Sequence, residues 1–423
     1  MQSLSVQSSD LIVVLDTGVL GAALLRDSAR TGVYRYVHEL LLALVAGKQC
    51  KLHLLICPYQ PLEHLRLLNG YLGTGGLAGI PRIGARLTLF LASLTHLLPA
   101  LDLKVLRWIT RRVDQCQLSY WVQGQTRVLL HLPYFGLPPS IKGHRWLIVR
   151  TVHDLIPLLH PQWFPASVQR SASADMKELP NSSAIIVVSE ATRRDLLQIF
   201  PVINPSIVYA TPLAISDSFA PSNPDDLRSF RCRHGVSDEA FVILTVVTNH
   251  PRKNLTTLLL AFQRLIENSN FLLPIQLVVV GGHGWLADPL DLQVRELGLE
   301  LEVKCLKFLV DAELSLAYGS ADLFVYLSLY EGFGLPVLEA MACGCPVICS
   351  NTTSLPEVVG DAAVLVNPLD IEAVCEAMKG FILEPMIRDK YRQLSLERVK
   401  YFSWKKTASA TIEVYRKASM LQP

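Results

Sequence analysis

Residues 320–370 read SADLFVYLSLYEGFGLPVLEAMACGCPVICSNTTSLPEVVGDAAVLVNPLD, and the succession of residue types in this stretch sets the course of its backbone. An apolar run, LFVYLS at 323–328, leads into a turn, Glu331-Gly332-Phe333-Gly334, and then into a helical segment that starts near Leu335-Pro336. Pro is favoured at a helix start, where no backbone donor is needed. Two further short runs rich in Val and Ile, PVICS (346–350) and AVLVN (363–367), read as strands. Strands this continuously apolar are covered on both faces, as in parallel sheets.

Working outward, the same alternation fills the chain. Ahead of this stretch the strands FVILTVV (241–247), IQLVVVGG (275–282) and VKCLKFL (303–309) alternate with helix-period segments such as NLTTLLLAFQRLIEN (254–268) and DAELSLAYGSA (311–321). An earlier set repeats the logic with LIVVL (11–15), KLHLLIC (51–57), RVLLHL (127–132), LIVRTVHD (147–154) and AIIVVS (184–189). Strand–helix alternation predicts a doubly wound α/β architecture, and 423 residues are too many for one core. The expected division is a first domain over 1–213, a Ser/Pro/Asp/Arg-rich linker over 214–240 and a second domain over 241–400. Two such domains bring their carboxyl strand ends, where ligands bind, to a shared cleft.

Composition narrows the function. The net charge of +2 lacks the basic excess of a general nucleic-acid binder. Nine cysteines at irregular spacing suit a reducing compartment, and Cys343, Cys345 and Cys349 read as small core residues rather than as a paired metal motif. The first apolar run has no basic residue before it, which argues against a secretory signal, and no stretch of about 18 apolar residues predicts a spanning helix. The expectation is a cytoplasmic enzyme. Segment 85–113 is Leu-rich and helical in period, with Arg82, Arg86, Lys104, Arg107, Arg111 and Arg112 at its margins. It suits either a membrane interface or a core-facing helix pair broken at Pro99.

The turn at 331–334 carries chemistry. Its glycines let backbone approach a ligand, and the helix after it offers N–H groups and positive potential to a phosphate. Glu331 and Glu339 flank it in almost wholly apolar surroundings, where a carboxylate needs partners. In His250-Pro251-Arg252-Lys253 two cations sit at a helix start, against the helix dipole, which argues for an anionic ligand.

EGFGLPVLE (331–339), with AMACGCPVI and LPEVVGDAA after it, resembles the two-glutamate signature of GT-B fold retaining glycosyltransferases of family 4, the glycosyl transferases group 1. HPRKNLTTLLLAF (250–262), TVHDLIPLLHPQWF (151–164), VSEATRRDL (188–196), ARTGVYRYVHELLLAL (29–44) and FSWKKTASATIEVYRKA (402–418) resemble other elements of that family in the family's order, leaving 60–125 outside the likeness. The chain is similar to bacterial cell-surface polysaccharide mannosyltransferases. The resemblance implies that Glu331 meets the donor sugar, Glu339 the ribose, and Arg252 and Lys253 the diphosphate, with His153 near the reacting centre. It places Gly332, Phe333, Gly334 and Leu335 at the phosphates, Gly32 in a loop over them or over the acceptor, and Val310 near the base. Ser189 reads equally well as a helix cap. Thr248-Asn249 stand where many members carry a further Arg.

The resemblance also implies an activity: transfer of a mannose-like or glucose-like sugar, with retention, from a GDP- or UDP-linked donor to a glycan or lipid-linked acceptor. No cofactor or metal is expected, no nucleic acid, and peripheral membrane contact through 85–113. The terminal helix, 402–420, is expected to cross back to the first domain. Rival readings are an epimerase or phosphorylase on the same frame, or a non-catalytic scaffold subunit. A nicotinamide oxidoreductase is disfavoured because neither half shows G-x-G-x-x-G after its first strand.

Overall fold

The computed structural model describes residues 11–22, 32–55, 82–83, 128–134, 146–268, 271–281 and 289–420. Segment 85–113, with its candidate membrane role, lies outside the described residues.

The strands form two all-parallel sheets. The first has the order β3-β2-β1-β4-β5-β6-β7 and the second β10-β9-β8-β11-β12-β13. In the first sheet, β1 (Ile12–Asp16) is central, with Val13 level with Leu52 on β2 (Lys51–Leu55) and Leu129 on β4 (Val128–Leu132). β3 (Arg82–Ile83) borders β2, and β5 (Leu147–Val152), β6 (Ala184–Val187) and β7 (Val208–Ala210) complete the other side. The second sheet is built around β8 (Phe241–Val246), flanked by β9 (Ile275–Val280) and β10 (Val303–Leu306) on one side. β11 (Leu323–Tyr326), β12 (Val347–Ser350) and β13 (Val364–Val366) lie on the other.

Both orders reverse direction beside their first strand, at β1/β4 and at β8/β11. Such a reversal opens a crevice at the carboxyl strand ends, which is where doubly wound sheets hold ligands. The turn 331–334 comes after β11 and the basic turn 251–253 after β8, so both glutamate and cations emerge at one reversal.

The sequence underestimates two places. The stretch 214–240, expected as a linker, contains the helix Pro224–Arg233, capped by Asn223, and buries Phe219, Phe230 and Val236 in the core of the second half. Its polar surface hides this because only one residue of the helix, Phe230, is buried. β3 and β7, two and three residues long, fall below the length at which an apolar run is visible. Cys343, Cys345 and Cys349 are buried in the second core as free thiols.

The helix Trp404–Met420 lies against Gly32–Gly47 and beneath β5 and β6, and its Ala408, Ile412, Val414, Tyr415 and Ala418 join the first core. Phe333, Leu338 and Val358, from the second half, are buried in the same cluster. The two halves are thus in contact through apolar packing behind the site.

Candidate active site

β8 delivers the cations. After Val246 the chain makes a 3-10 turn, Pro251–Lys253, and passes through Asn254 in the left-handed region (φ +54°) before the helix Leu255–Glu267. Asn adopts this conformation more readily than most residues, and here its amide is fixed by Pro368 O at 2.6 Å. Leu329 N donates to Arg252 O at 2.8 Å, which ties this loop to the one after β11.

Three donors converge on one oxygen of Glu331. Arg252 Nη1 at 2.8 Å, Lys253 Nζ at 2.5 Å and Tyr326 OH at 2.8 Å all donate to Oε1, and Lys253 Nζ also contacts Tyr326 OH. Burial alone would raise the Glu331 carboxyl, but the Arg252 and Lys253 charges outweigh it and hold it at about 2. Burial, aided by the adjacent guanidinium and resisted by Glu331, brings Lys253 down to about 8. At neutral pH these three side chains are therefore two cations and one carboxylate.

Gly332 and Gly334 shape the turn. A Cβ on Gly332 would stand 1.9 Å from His153 O of the first half, so only glycine lets the two strand ends approach this closely. Gly334 has φ +110°, and a Cβ there would strike Leu355. The helix Leu335–Ala342 starts next, with Pro336 as its second residue rather than its first. Val337 N already donates to Gly334 O at 3.1 Å and Pro336 has no N–H. The donors at the helix mouth without an intrahelical acceptor are those of Gly334 and Leu335. Phe333 does not line this mouth; it is buried, edge-on to Phe402.

The first half supplies the facing wall. Gly32 opens the helix Gly32–Gly47, and a Cβ on it would lie 3.6 Å from Leu335 Cδ1. Two helix N-termini thus meet across the cleft, a favourable surrounding for a phosphate. His153, at the end of β5, donates from Nε2 to Pro133 O at 2.8 Å and lies edge-on to Tyr36. Burial lowers it to about 4, so the ring is neutral at pH 7 with Nδ1 as its acceptor. Behind it runs a buried chain in which Tyr36 OH and His131 Nε2 meet Thr151 Oγ1 at 3.0 and 2.8 Å, and His131 Nδ1 meets Tyr415 OH at 2.6 Å. Asp154 accepts from Ile156 N at 3.1 Å; burial raises its pKa, and the Arg252 charge draws it back.

Glu339 lies one turn into its helix and apart from the Glu331 cluster. Tyr318 OH donates to its Oε2 at 2.9 Å, and Arg35 Nη1 to its Oε1. Burial pushes its pKa up while Arg35 resists. Val310, half-exposed, immediately precedes the helix Asp311–Ser320, and Asp311 takes the other arm of Arg35 at 2.5 Å. Ser189 is a helix cap, accepting from Thr192 N at 3.0 Å. Its helix, Glu190–Ile199, is also capped from the second half, since Glu357 accepts from Glu190 N at 3.0 Å and Ala191 N at 3.1 Å.

Sequence reasoning named both glutamates, both cations and His153 but missed Arg35, Tyr318 and Tyr326. Arg35 had a signal, a cation in the first turn of a helix, the same feature that singled out Arg252 and Lys253. The tyrosines sit in apolar runs, and only burial shows that their hydroxyls need partners.

The family profile described as "Glycosyl transferases group 1" matches residues 228–397. Over 392 residues the chain is 30% identical to O-antigen chain mannosyltransferase B of Escherichia coli, spanning 91% of this chain and 96% of that one. Among solved structures, sucrose-phosphate synthase from Thermosynechococcus elongatus superposes with a TM-score of 0.66 at 20% identity, covering 96% of this chain and 98% of the other. HepE from Anabaena, in complex with UDP and glucose, superposes with a TM-score of 0.65 at 16% identity over 95% and 98% of the two chains. With both sheets, the glutamate pair and near full-length similarity in agreement, the chain belongs to the glycosyl transferases group 1 family and is a GT-B fold glycosyltransferase.

Proposed function

We propose that the chain is a retaining mannosyltransferase that moves mannose from a GDP- or UDP-linked donor to a hydroxyl of a growing cell-surface glycan, free or lipid-linked. The observation that carries this reading is the convergence of Arg252, Lys253 and Tyr326 on a single oxygen of Glu331 at the β8/β11 reversal. With Oε1 so held, Oε2 is the oxygen left for a sugar hydroxyl. The relative named as an O-antigen chain mannosyltransferase supports the sugar and the acceptor class. The neighbour solved with UDP and glucose supports a nucleotide-linked donor.

In this mechanism the diphosphate lies at the mouth of Leu335–Ala342, opposite Gly32. As the glycosidic bond breaks, negative charge grows on the leaving phosphate, where Arg252, Lys253 and the N–H groups of Gly334 and Leu335 are already oriented. Preorganised charge of this kind lowers a barrier without reorganisation at the moment of reaction. His153, neutral, offers Nδ1 as an acceptor to the sugar on the other side. The acceptor hydroxyl attacks from the face that the diphosphate leaves, and the leaving phosphate takes its proton. The protein groups neutralise the leaving group without a metal ion.

Among the described residues no helix is long and apolar enough to cross a membrane. Peripheral attachment at the cytoplasmic membrane face through 85–113 is part of the same proposal, supported by its Leu-rich pattern and marginal cations. The test of the function is a donor screen by thermal shift, then incubation with the stabilising donor and a mannan acceptor. An α-linked mannosyl product by NMR is the expected result. Stabilisation by other nucleotide sugars but not by those of mannose overturns the sugar assignment, and release of free nucleotide with no acceptor consumed overturns transfer.

A further inference from the structure

The first half sends one cation deep into the second. Arg35 lies in the first turn of Gly32–Gly47, yet all the partners described for its guanidinium belong to the other half. Nη1 donates to Glu339 Oε1, Nη2 to Asp311 Oδ1 at 2.5 Å, and Cζ stands 5.4 Å from the centroid of the Phe219 ring. Tyr318 holds the second oxygen of Glu339. A cation at a helix N-terminus opposes the helix dipole, and ordering an Arg side chain costs entropy. These contacts outweigh both costs, so they fix where Arg35 points.

The geometry aligns two helices. Gly32 lies near Leu335, and the Arg35 side chain reaches Glu339, so the first turns of Gly32–Gly47 and Leu335–Ala342 face each other. The carboxylate therefore stands just beyond the phosphate-facing mouth, at the place a ribose would reach. Its side chain is 3% exposed and that of Arg35 is 22%, so the guanidinium forms the more open border of the pair. Each carboxylate oxygen keeps a second lone-pair site for a hydroxyl donor.

We propose that Arg35 is a positioning residue of the donor site, reaching across the cleft to fix the Glu339 carboxylate as the acceptor for the ribose hydroxyls. This rests on Glu339 being the ribose contact. Burial pushes a carboxylate this deep toward its neutral form, and a compensating charge opposes that push. Arg35 is that charge, and Asp311 holds the far arm of the fork. Because cation and carboxylate come from different halves, the ribose site is complete only when the halves are together.

The experiment compares GDP and UDP with their 2′,3′-dideoxy counterparts by calorimetry on the full chain. Wild type should prefer the ribose forms about tenfold or more, the worth of hydrogen bonds to a charged acceptor. In Arg35→Met the preference should collapse to about twofold or less, with Arg35→Lys recovering part of it. A purely structural role would weaken ribose and dideoxy ligands in the same proportion, and an unchanged ratio in folded Arg35→Met overturns the proposal. Glu339→Gln separates the two levels: if it leaves the ratio intact, the ribose reading fails and Arg35 falls with it. If Glu339→Gln collapses the ratio and Arg35→Met does not, only the role of Arg35 is overturned. Should Arg35→Met not fold, Asp311→Asn, at a side chain 48% exposed, serves instead. There the ratio should fall about twofold or more, and an unchanged ratio overturns the proposal.

Discussion

Replacing Glu331 by Gln keeps the side chain's size and removes its charge, leaving Arg252 and Lys253 together without their carboxylate. In the wild type both cations donate to Oε1, and the Glu331 side chain is 11% exposed. Breaking a buried pair on one side costs about 3–5 kcal/mol. The Gln amide oxygen still accepts one of the three hydrogen bonds, which favours the lower end, about 3 kcal/mol. At about 2–4 °C per kcal/mol for a domain of this size, the second half should melt about 6–12 °C below wild type. The loss is not irreversible, because a nucleoside diphosphate brings back an anion. GDP or UDP should therefore raise the melting temperature of Glu331→Gln by more than it raises that of wild type. Turnover should fall about a hundred- to thousand-fold, the worth of one preorganised contact. Calorimetric melts with and without nucleotide, together with initial rates, test all three. A variant that melts with wild type, gains no more from nucleotide and turns over near the wild-type rate would refute the reasoning.

The rate should fall as pH rises through about 8, where Lys253 loses the proton that makes it a cation. Neither Glu331, at about 2, nor His153, at about 4, should add a step between about pH 5.5 and 7.5. Lys253 titrates lower folded than unfolded (10.5), so the unfolded chain binds more protons between those values and folding gains stability as pH rises. Loss of rate there is therefore not unfolding, and a level rate to about pH 9.5 in an intact protein would remove Lys253 from the mechanism. Turnover should persist in excess chelator, and activity that vanishes there and returns with magnesium or manganese contradicts metal independence. The protein should sediment with anionic liposomes at low salt and less at high salt, with Arg107, Arg111 and Arg112 changed together to Ser weakening the recovery. Wild type remaining in the supernatant at every salt concentration ends the membrane assignment.

The sheets were legible because buried parallel strands announce themselves as Val/Ile/Leu runs. AIIVVS at 184–189 contains β6, and FVILTVV at 241–247 contains β8. What was lost was short or polar: β3 with two residues, and Pro224–Arg233, whose single buried side chain leaves no apolar stripe. In the site, the acidic and basic residues were visible because charge in apolar surroundings is anomalous at the level of sequence. Their pairing was not. Arg252 and Lys253 read as diphosphate ligands, and the fold also pairs both with Glu331, 79 and 78 positions away. Arg35 and Glu339 are 304 positions apart, and no local pattern joins them. Hydrogen-bond partners that meet through topology are invisible until the sheets are assembled.

The helix Trp404–Met420 has a consequence for how the molecule comes into being. Its Tyr415 bonds His131 of β4, and its apolar side closes the core over β5 and β6. On the ribosome, the first half emerges long before this helix does, with that sheet face bare and His131 lacking its tyrosine. The second sheet, made later from contiguous chain, can close its own core first. The half synthesised earlier is thus the later one to mature, and chaperones would be needed most in that interval. A lesion in Trp404–Met420 would accordingly be felt far upstream in the chain, in the fold of the first half, with the second sheet left standing.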